Sequence, residues 1–252
     1  GNGNIAVQLV VRSTPDGYTL LVSASPAIVI GPVLFKEQPF DVERDLAPIA
    51  RGVLSPLVFV AHPGLQTRTL AEFVAHAKRA PKPLAYGSAG AASTTHLGVR
   101  LFEETAGVKF LHAPYKGIGA AMQDFLGGQL SFLLADLPSV ATHIHAGKAV
   151  PLAVMPRNRF LSGVPTFADA GYAAVDVIAS FALLAPAGTP AAILERLSAA
   201  LMTAMKTSPL AEKLDSAGLI PVVDTPADAA ARLKREREMW AAFIERSGIA
   251  RE

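Results

Sequence analysis

Hydroxyl side chains are concentrated in one short stretch of the chain, Tyr86-Gly-Ser-Ala-Gly-Ala-Ala-Ser-Thr-Thr-His-Leu97. A short apolar segment precedes it, and Leu97, Leu101 and Phe102 follow at helical spacing, which predicts a loop between a strand and a helix. The start of a helix presents unpaired backbone N–H groups and the positive end of the helix dipole. The hydroxyls add further donors, so this loop is suited to bind an anion. The candidate ligand residues are Ser88, Gly90, Ser93, Thr94, Thr95 and His96.

A purely structural interpretation of the same loop stays open. Ser and Thr are ordinary N-caps, and Gly and Ala are ordinary in tight turns. The spacing matches neither the dinucleotide-binding fingerprint nor the phosphate-binding P-loop.

Catalytic and metal chemistry have weaker support. Ser93, His96 and Asp136 could form a hydrolase triad, but no Gly-x-Ser-x-Gly motif is present. His96 is expected instead to be hydrogen-bonded within its own domain, and the hydrolase is kept as an alternative. His143 and His145 are two residues apart, which points them in different directions on a helix. We therefore expect no metal and no cofactor.

The composition indicates a chain that can bury a sizeable core and that carries little net charge. The chain has 252 residues, of which 51% are hydrophobic, a net charge of +2 and no cysteine. This balance gives no indication of nucleic-acid binding, and disulfides and thiolate chemistry are excluded. The two uncharged runs, 17–35 and 177–194, are interrupted by Pro, Gly and hydroxyl residues, and no signal peptide is recognisable at the start. We expect a mature or trimmed soluble chain.

Strand and helix patterns alternate along most of the chain. Strands are predicted at 18–23, 57–61, 83–88, 109–112, 130–135, 149–154 and 177–184. Thr69 and Glu72 form a capping box before a helix, and Ser208-Pro209 predicts the start of another. This alternation favours an α/β fold with mainly parallel sheets. Ser23 and Ser25 lie at the carboxyl end of the first strand, where open parallel sheets bind ligands, and are further candidates.

Several motifs occur along the whole chain in the same order as in one known family of proteins. They are the stretch 86–102, His112-Ala-Pro-Tyr-Lys-Gly117, Leu126-Gly-Gly-Gln129, Leu137-Pro-Ser139, His145-Ala-Gly-Lys148 and Leu184-Ala-Pro-Ala-Gly-Thr-Pro190. In these motifs the chain resembles the solute-binding proteins of tripartite tricarboxylate transporters, often called Bug receptors. The resemblance implies a type II periplasmic binding protein, in which two α/β lobes are joined by a two-strand hinge. We expect lobe 1 to comprise 1–61 and 182–252, with the family's N-terminal elements missing, and lobe 2 to comprise 62–181.

The resemblance also implies a function. It predicts a periplasmic receptor, not an enzyme, which captures a small carboxylate or an amino acid for inner-membrane transporter subunits and acts as a monomer. A sensory adaptor that presents its solute to a histidine kinase is a second alternative.

Asp136 departs from the family pattern, which has Asp-Asn-Leu-Pro-Ser where this chain has Ala135-Asp-Leu-Pro-Ser139. A carboxylate in place of an amide would favour a ligand ammonium group and thus amino acids. The alternative is that Asp136 caps the next helix through the backbone N–H groups near Ser139.

Overall fold

The computed structural model describes residues 3–207, 209–222 and 224–249. The helices are α1 (Asn4–Val11), α2 (Gly31–Leu34), α3 (Val42–Asp45), α4 (Leu70–Arg79), α5 (Thr94–Ala106), α6 (Ile118–Leu126), α7 (Leu137–His145), α8 (Ala191–Thr207), α9 (Pro209–Ser216) and α10 (Pro226–Ser247). The strands are β1 (Leu21–Ala24), β2 (Leu46–Ser55), β3 (Leu57–Ala61), β4 (Ala85–Ser88), β5 (Leu111–Pro114), β6 (Phe132–Asp136), β7 (Val150–Met155), β8 (Ala179–Pro186) and β9 (Ile220–Pro221). The start of α9 that the sequence places at Ser208 concerns a position outside the described residues.

The chain divides into two compact units. Unit 1 comprises Gly1–Leu54, Ser180–Ser216 and Ile220–Glu252, and unit 2 comprises Ser55–Ala179 and Ala217–Leu219. Unit 2 therefore begins earlier than the expected lobe 2, because β3 pairs with β6 and β7 and belongs to their sheet. It also includes a short piece near the C-terminal end that the sequence did not indicate. In this piece, the backbone oxygen of Gly218 accepts a hydrogen bond from the buried side-chain amide of Asn158 at 2.8 Å.

The sheet of unit 1 has the strand order β1-β8-β2-β9. β1 is antiparallel to β8, with Leu21 opposite Leu184, and β2 is antiparallel to β9. The long helix α10 packs against α2 and the short π-helix Pro26–Ile30, most of which is buried. An ion pair at 2.5 Å between Arg51 on β2 and Asp224 ties the segment before α10 to the sheet.

The sheet of unit 2 has the order β5-β4-β6-β3-β7. β4 is parallel to β5 and β6, whereas β3 is antiparallel to β6 and β7. The predicted mainly parallel sheets are therefore not found: the sheet of unit 2 is mixed, since β3 runs against both of its neighbours, and the described pairs β1–β8 and β2–β9 of unit 1 are antiparallel. Because β4, β5, β6 and β7 point the same way, their carboxyl ends share one edge, where the loops after β4 and β6 lie.

Aromatic rings fill the core of unit 2 on one face of this sheet. Phe59 on β3 is fully buried and lies at the centre of the group. Its ring centroid is 4.8 to 6.1 Å from those of Phe73, Phe102, Phe132 and Phe167. These contacts fix α4 and α5 against the sheet and thereby position the start of α5.

The capping box before α4 is confirmed, with one difference. The Glu72 amide donates to Thr69 Oγ1 at 3.1 Å, but the Glu72 carboxylate accepts from the Arg68 amide rather than from that of Thr69. Throughout the described ranges, the helices are too short or too polar to cross a membrane.

Candidate functional site

The loop after β4 joins the strand to helix α5, as the sequence predicts. Ser93 is the N-cap of α5, and its side-chain oxygen accepts from the His96 amide at 3.1 Å. Gly90 has a φ of +119°, a conformation that L residues with a side chain rarely adopt. This glycine lets the chain turn sharply from the strand into the helix.

Most hydroxyls of this loop hold the loop itself together. Ser93 Oγ donates to the Gly90 oxygen at 2.6 Å and lies 2.9 Å from Thr95 Oγ1. Thr95 Oγ1 accepts from the Ala89 amide at 3.0 Å, and Ser88 Oγ accepts from the Gly90 amide at 3.2 Å. Thr94 differs, because its hydroxyl has no hydrogen bond to any residue that the structure describes.

Four backbone amides at the same place lack an acceptor. They are the N–H groups of Ala91, Ala92, Thr94 and Thr95, none of which bonds to a described part of the chain. Ala92, Thr94 and Thr95 are only 2%, 5% and 6% exposed. Buried amides without a partner are rare in folded proteins, since each one costs free energy comparable to a lost hydrogen bond. With the positive end of the α5 dipole, they form a preorganised site for an anion.

Two imidazole rings are stacked beside the loop. His96 and His112 lie face to face, with ring centroids 3.8 Å apart and planes inclined by 20°. Tyr86 flanks His112 with its centroid 5.0 Å away, and its hydroxyl is 2.8 Å from His96 Nδ1. His112 Nε2 is 2.7 Å from Ser88 Oγ. The stack therefore connects β4, β5 and α5 by hydrogen bonds.

Burial keeps this group uncharged at neutral pH. It lowers the pKa of His96 to about 3, with His112 and Arg100 acting in the same direction. Burial also lowers the pKa of His112, and again Arg100 contributes. The pKa of Tyr86 is raised by burial and by Glu103, so the phenol that is hydrogen-bonded to His96 Nδ1 keeps its proton. The prediction that His96 is hydrogen-bonded within its own domain is confirmed.

The geometry does not assemble the hydrolase alternative. Ser93 Oγ contacts the backbone amide of His96, while the His96 imidazole is bonded to Tyr86. A serine nucleophile needs a base within hydrogen-bond reach. Within the ranges described, Ser93 has no such base, and no cluster of three or more His, Asp or Glu residues could hold a metal ion.

Asp136 lies at the carboxyl end of β6, at the same sheet edge as the loop after β4. It occupies the N-cap position of α7, but its side chain accepts no backbone amide there. Its Oδ2 accepts the Ser139 hydroxyl at 2.9 Å instead. The capping alternative is therefore wrong in its detail, because the hydroxyl of Ser139 takes the place that a backbone amide would occupy.

Ser23 and Ser25 lie in unit 1, and their hydroxyls are engaged there. Ser25 Oγ is 2.8 Å from Ser180 Oγ and accepts from the Ser180 amide at 3.0 Å, which ties the end of β1 to β8. Ser23 Oγ donates to the Ala24 oxygen at 3.1 Å. Their part in ligand binding stays a prediction.

The sequence interpretation missed Tyr86 and His112 as parts of the site. The available signal was the pairing of parallel strands, because Tyr86 lies opposite His112 in the register of β4 and β5. Residues in register share one face of a sheet.

Comparison with known proteins gives a consistent result. A family model described as "Tripartite tricarboxylate transporter family receptor" matches residues 1–249. Protein BugT of Bordetella pertussis is 32% identical over 249 residues, which are 98% of this chain and 76% of BugT. The solved periplasmic binding protein BugD superposes with a TM-score of 0.89 at 25% identity, over 100% of this chain and 85% of BugD. An R. palustris protein solved with adipate superposes with a TM-score of 0.91 at 28% identity, over 99% of this chain and 85% of that one. The predicted α/β fold of the type II periplasmic binding proteins is confirmed.

Proposed function

We propose a function on the premise that this chain belongs to the tripartite tricarboxylate transporter receptor family. In this proposal it is a periplasmic receptor, which binds a small organic carboxylate at the start of α5. The observation that carries this proposal is the set of backbone amides at Ala91, Ala92, Thr94 and Thr95 that bond to no described residue, three of which belong to buried residues. The Thr94 hydroxyl adds a donor that the loop itself does not use. A carboxylate supplies two oxygens that together can accept several such hydrogen bonds.

Hydrogen bonds to a charged group contribute roughly 1.5–3 kcal/mol each, so three or four of them give roughly 4.5–12 kcal/mol before the cost of association. Micromolar affinity corresponds to roughly 8 kcal/mol, so other contacts to the ligand must add to the amide hydrogen bonds. The relative solved with adipate supports a dicarboxylate as the first ligand to test.

The proposed partners are the inner-membrane subunits of a transporter, which receive the solute without altering it. Among the described residues, Ser93 Oγ has no hydrogen bond to the His96 imidazole, which supports binding without catalysis. We also propose that the two lobes of the implied hinge architecture, with chain crossings near 57–63 and 177–185, close when the ligand binds.

The test is thermal unfolding with matched ligands. We expect adipate at about one hundred times its dissociation constant to stabilise the protein by roughly 2.7 kcal/mol, which raises Tm by several degrees. Hexanediamide, which has the same carbon chain but no charge, should leave Tm unchanged. Equal shifts with both compounds, or none with a wider panel of mono-, di- and tricarboxylates, would contradict the carboxylate site.

The side chain of Asp136 gives reason to expect a preference for ligands with an ammonium group, which the same assay can measure. Its Oδ1 has no hydrogen bond within the described residues, which leaves an acceptor at the same sheet edge as the loop. We propose that it binds an ammonium group of the ligand, so that 2-aminoadipate binds more tightly than adipate. Asp136→Asn should remove this advantage, about tenfold in Kd, and leave adipate binding unchanged or improved. An equal loss for both ligands, or none, would exclude the ammonium contact.

A further inference from the structure

His112 bonds to the ligand loop from a neighbouring strand. It is on β5, the edge strand of the unit 2 sheet, and its Nε2 lies 2.7 Å from Ser88 Oγ. Ser88 is fully buried and is the last residue of β4. The Ser88 backbone oxygen also accepts from the Tyr115 amide at 3.0 Å, just beyond β5. The end of β4 is thus held by β5 through both a backbone and a side-chain bond.

The Ser88 hydroxyl has three neighbours but only one proton. The Gly90 amide donates to its oxygen at 3.2 Å, which uses one lone pair. The proton can then go to His112 Nε2 at 2.7 Å or to the Gly90 oxygen at 3.2 Å. The bond to His112 is the shorter by a wide margin, and Ser93 Oγ already donates to the Gly90 oxygen at 2.6 Å. The 2.7 Å distance is that of a hydrogen bond between Ser88 Oγ and His112 Nε2, whose direction depends on which ring nitrogen carries the proton.

We propose that His112 is a positioning residue for the carboxylate site. Its neutral ring accepts the Ser88 hydroxyl proton, and this bond orients the Ser88 oxygen toward the Gly90 amide. That contact holds the turn at Gly90, which in turn aims the free amides of Ala91 and Ala92. In this arrangement Ser88 braces the loop and does not donate to the ligand. The inference rests on the proposed function for its link to affinity.

The surroundings of His112 favour the neutral ring. The imidazole of His96 covers one face, and the phenol of Tyr86 is stacked nearby. Arg100 on α5 acts against a second positive charge in this group. The nearby carboxylate of Glu103 is committed elsewhere, since it accepts from Arg100 at 2.7 Å and from the Phe110 amide at 2.6 Å.

Calorimetric titration with adipate tests the proposal on matched variants. His112→Leu removes the acceptor and should weaken binding about tenfold, the effect of one lost hydrogen bond. His112→Gln places an amide oxygen near the position of Nε2 and should bind within about threefold of the wild-type affinity. His145→Leu, an exposed histidine on α7, is the matched control and should bind like the wild type.

A double-mutant cycle separates positioning from general damage to the fold. If His112 acts through Ser88, then His112→Leu should have no further effect on Kd in a Ser88→Ala background. Additive losses, or equal losses for His112→Leu and His112→Gln, would overturn the proposal. If His112→Leu does not fold, the comparison of His112→Gln with Ser88→Ala decides: the first must bind normally and the second about tenfold more weakly.

Amide hydrogen exchange supplies a readout that needs no ligand. His112→Leu should accelerate exchange at least tenfold at the hydrogen-bonded amides of Ala89 and Gly90 and leave the core strand β3 unchanged. Wild-type exchange rates at these two amides in this variant would overturn the positioning role. If the wild-type chain binds neither adipate nor any other carboxylate, the proposed function fails, whereas the exchange experiment still decides the role of His112.

Discussion

Phe59→Ala is expected to lower the free energy of unfolding of this protein by about 3–5 kcal/mol, the usual effect of removing a fully buried phenylalanine. Phe59 has no exposed surface and lies within ring-contact distance of four other phenylalanines. Each favourable aromatic pair is worth roughly 0.5–1.5 kcal/mol beyond its buried area. The substitution therefore removes both apolar burial and several ring contacts.

Urea unfolding followed by far-ultraviolet circular dichroism measures this loss. Phe160→Ala is the control from the same unit, because Phe160 is 43% exposed, and it should cost less than about 1 kcal/mol. A Phe59→Ala variant within 1 kcal/mol of the wild type would mean that these rings do not form the core of unit 2.

Acidification from pH 7 to pH 5 is the second large expected effect. An unfolded histidine has a pKa of about 6.5, whereas burial lowers that of His96 to about 3. Below pH 6.5 the unfolded chain therefore binds a proton that the folded protein does not accept. The contribution of the neutral His96 to the free energy of unfolding is complete above pH 6.5, and it is lost as the pH falls toward 3. At pH 5 the loss is about 2 kcal/mol, and the lowered pKa of His112 adds to it in the same direction.

Comparison of variants at the two pH values checks this expectation. The wild-type protein should lose at least about 2 kcal/mol between pH 7 and pH 5, and His96→Gln should lose about 2 kcal/mol less than the wild type. The carboxyl groups with lowered pKa values, Asp45 and Asp169, titrate below this window and do not interfere. Equal pH dependence of the two proteins would contradict the buried, neutral state of His96.

The sequence predicted those features whose cause is local. The turn from β4 into α5 follows from the glycine, the N-cap and the helical spacing after Leu97. The capping box at Thr69 and the buried strand β3 are likewise signalled by adjacent residues. In each case the residues that determine the structure are within a few positions of one another.

Features that depend on distant pairing were not predictable. The strand β2 contains Pro48 and Gly52 and lacks a regular alternation, so its ten residues carry no strand signal of their own. The direction of β3 is set by its neighbours, β6 and β7, which come much later in the chain. The same reason hides His112, whose partner Ser88 is 24 residues away.

The hydroxyls of the loop show a different limit of prediction from the sequence. Their number predicted a set of donors for an anion, but Ser93 and Thr95 are bonded mainly to the loop itself. The donors left for a ligand are mostly backbone amides. Those of Thr94 and Thr95 follow from the helix start that the sequence predicts. Those of Ala91 and Ala92 lie in the loop before it, and only the three-dimensional structure shows that they bond to no described residue.

The position of the bound carboxylate is the central claim, and nuclear magnetic resonance tests it most directly. In a titration with adipate, the amide resonances of Ala91, Ala92, Thr94 and Thr95 should shift the most, with downfield proton shifts as they begin to donate hydrogen bonds. Hexanediamide at the same concentration should cause no such shifts. Saturable binding of adipate that leaves these four amides unchanged would contradict the account.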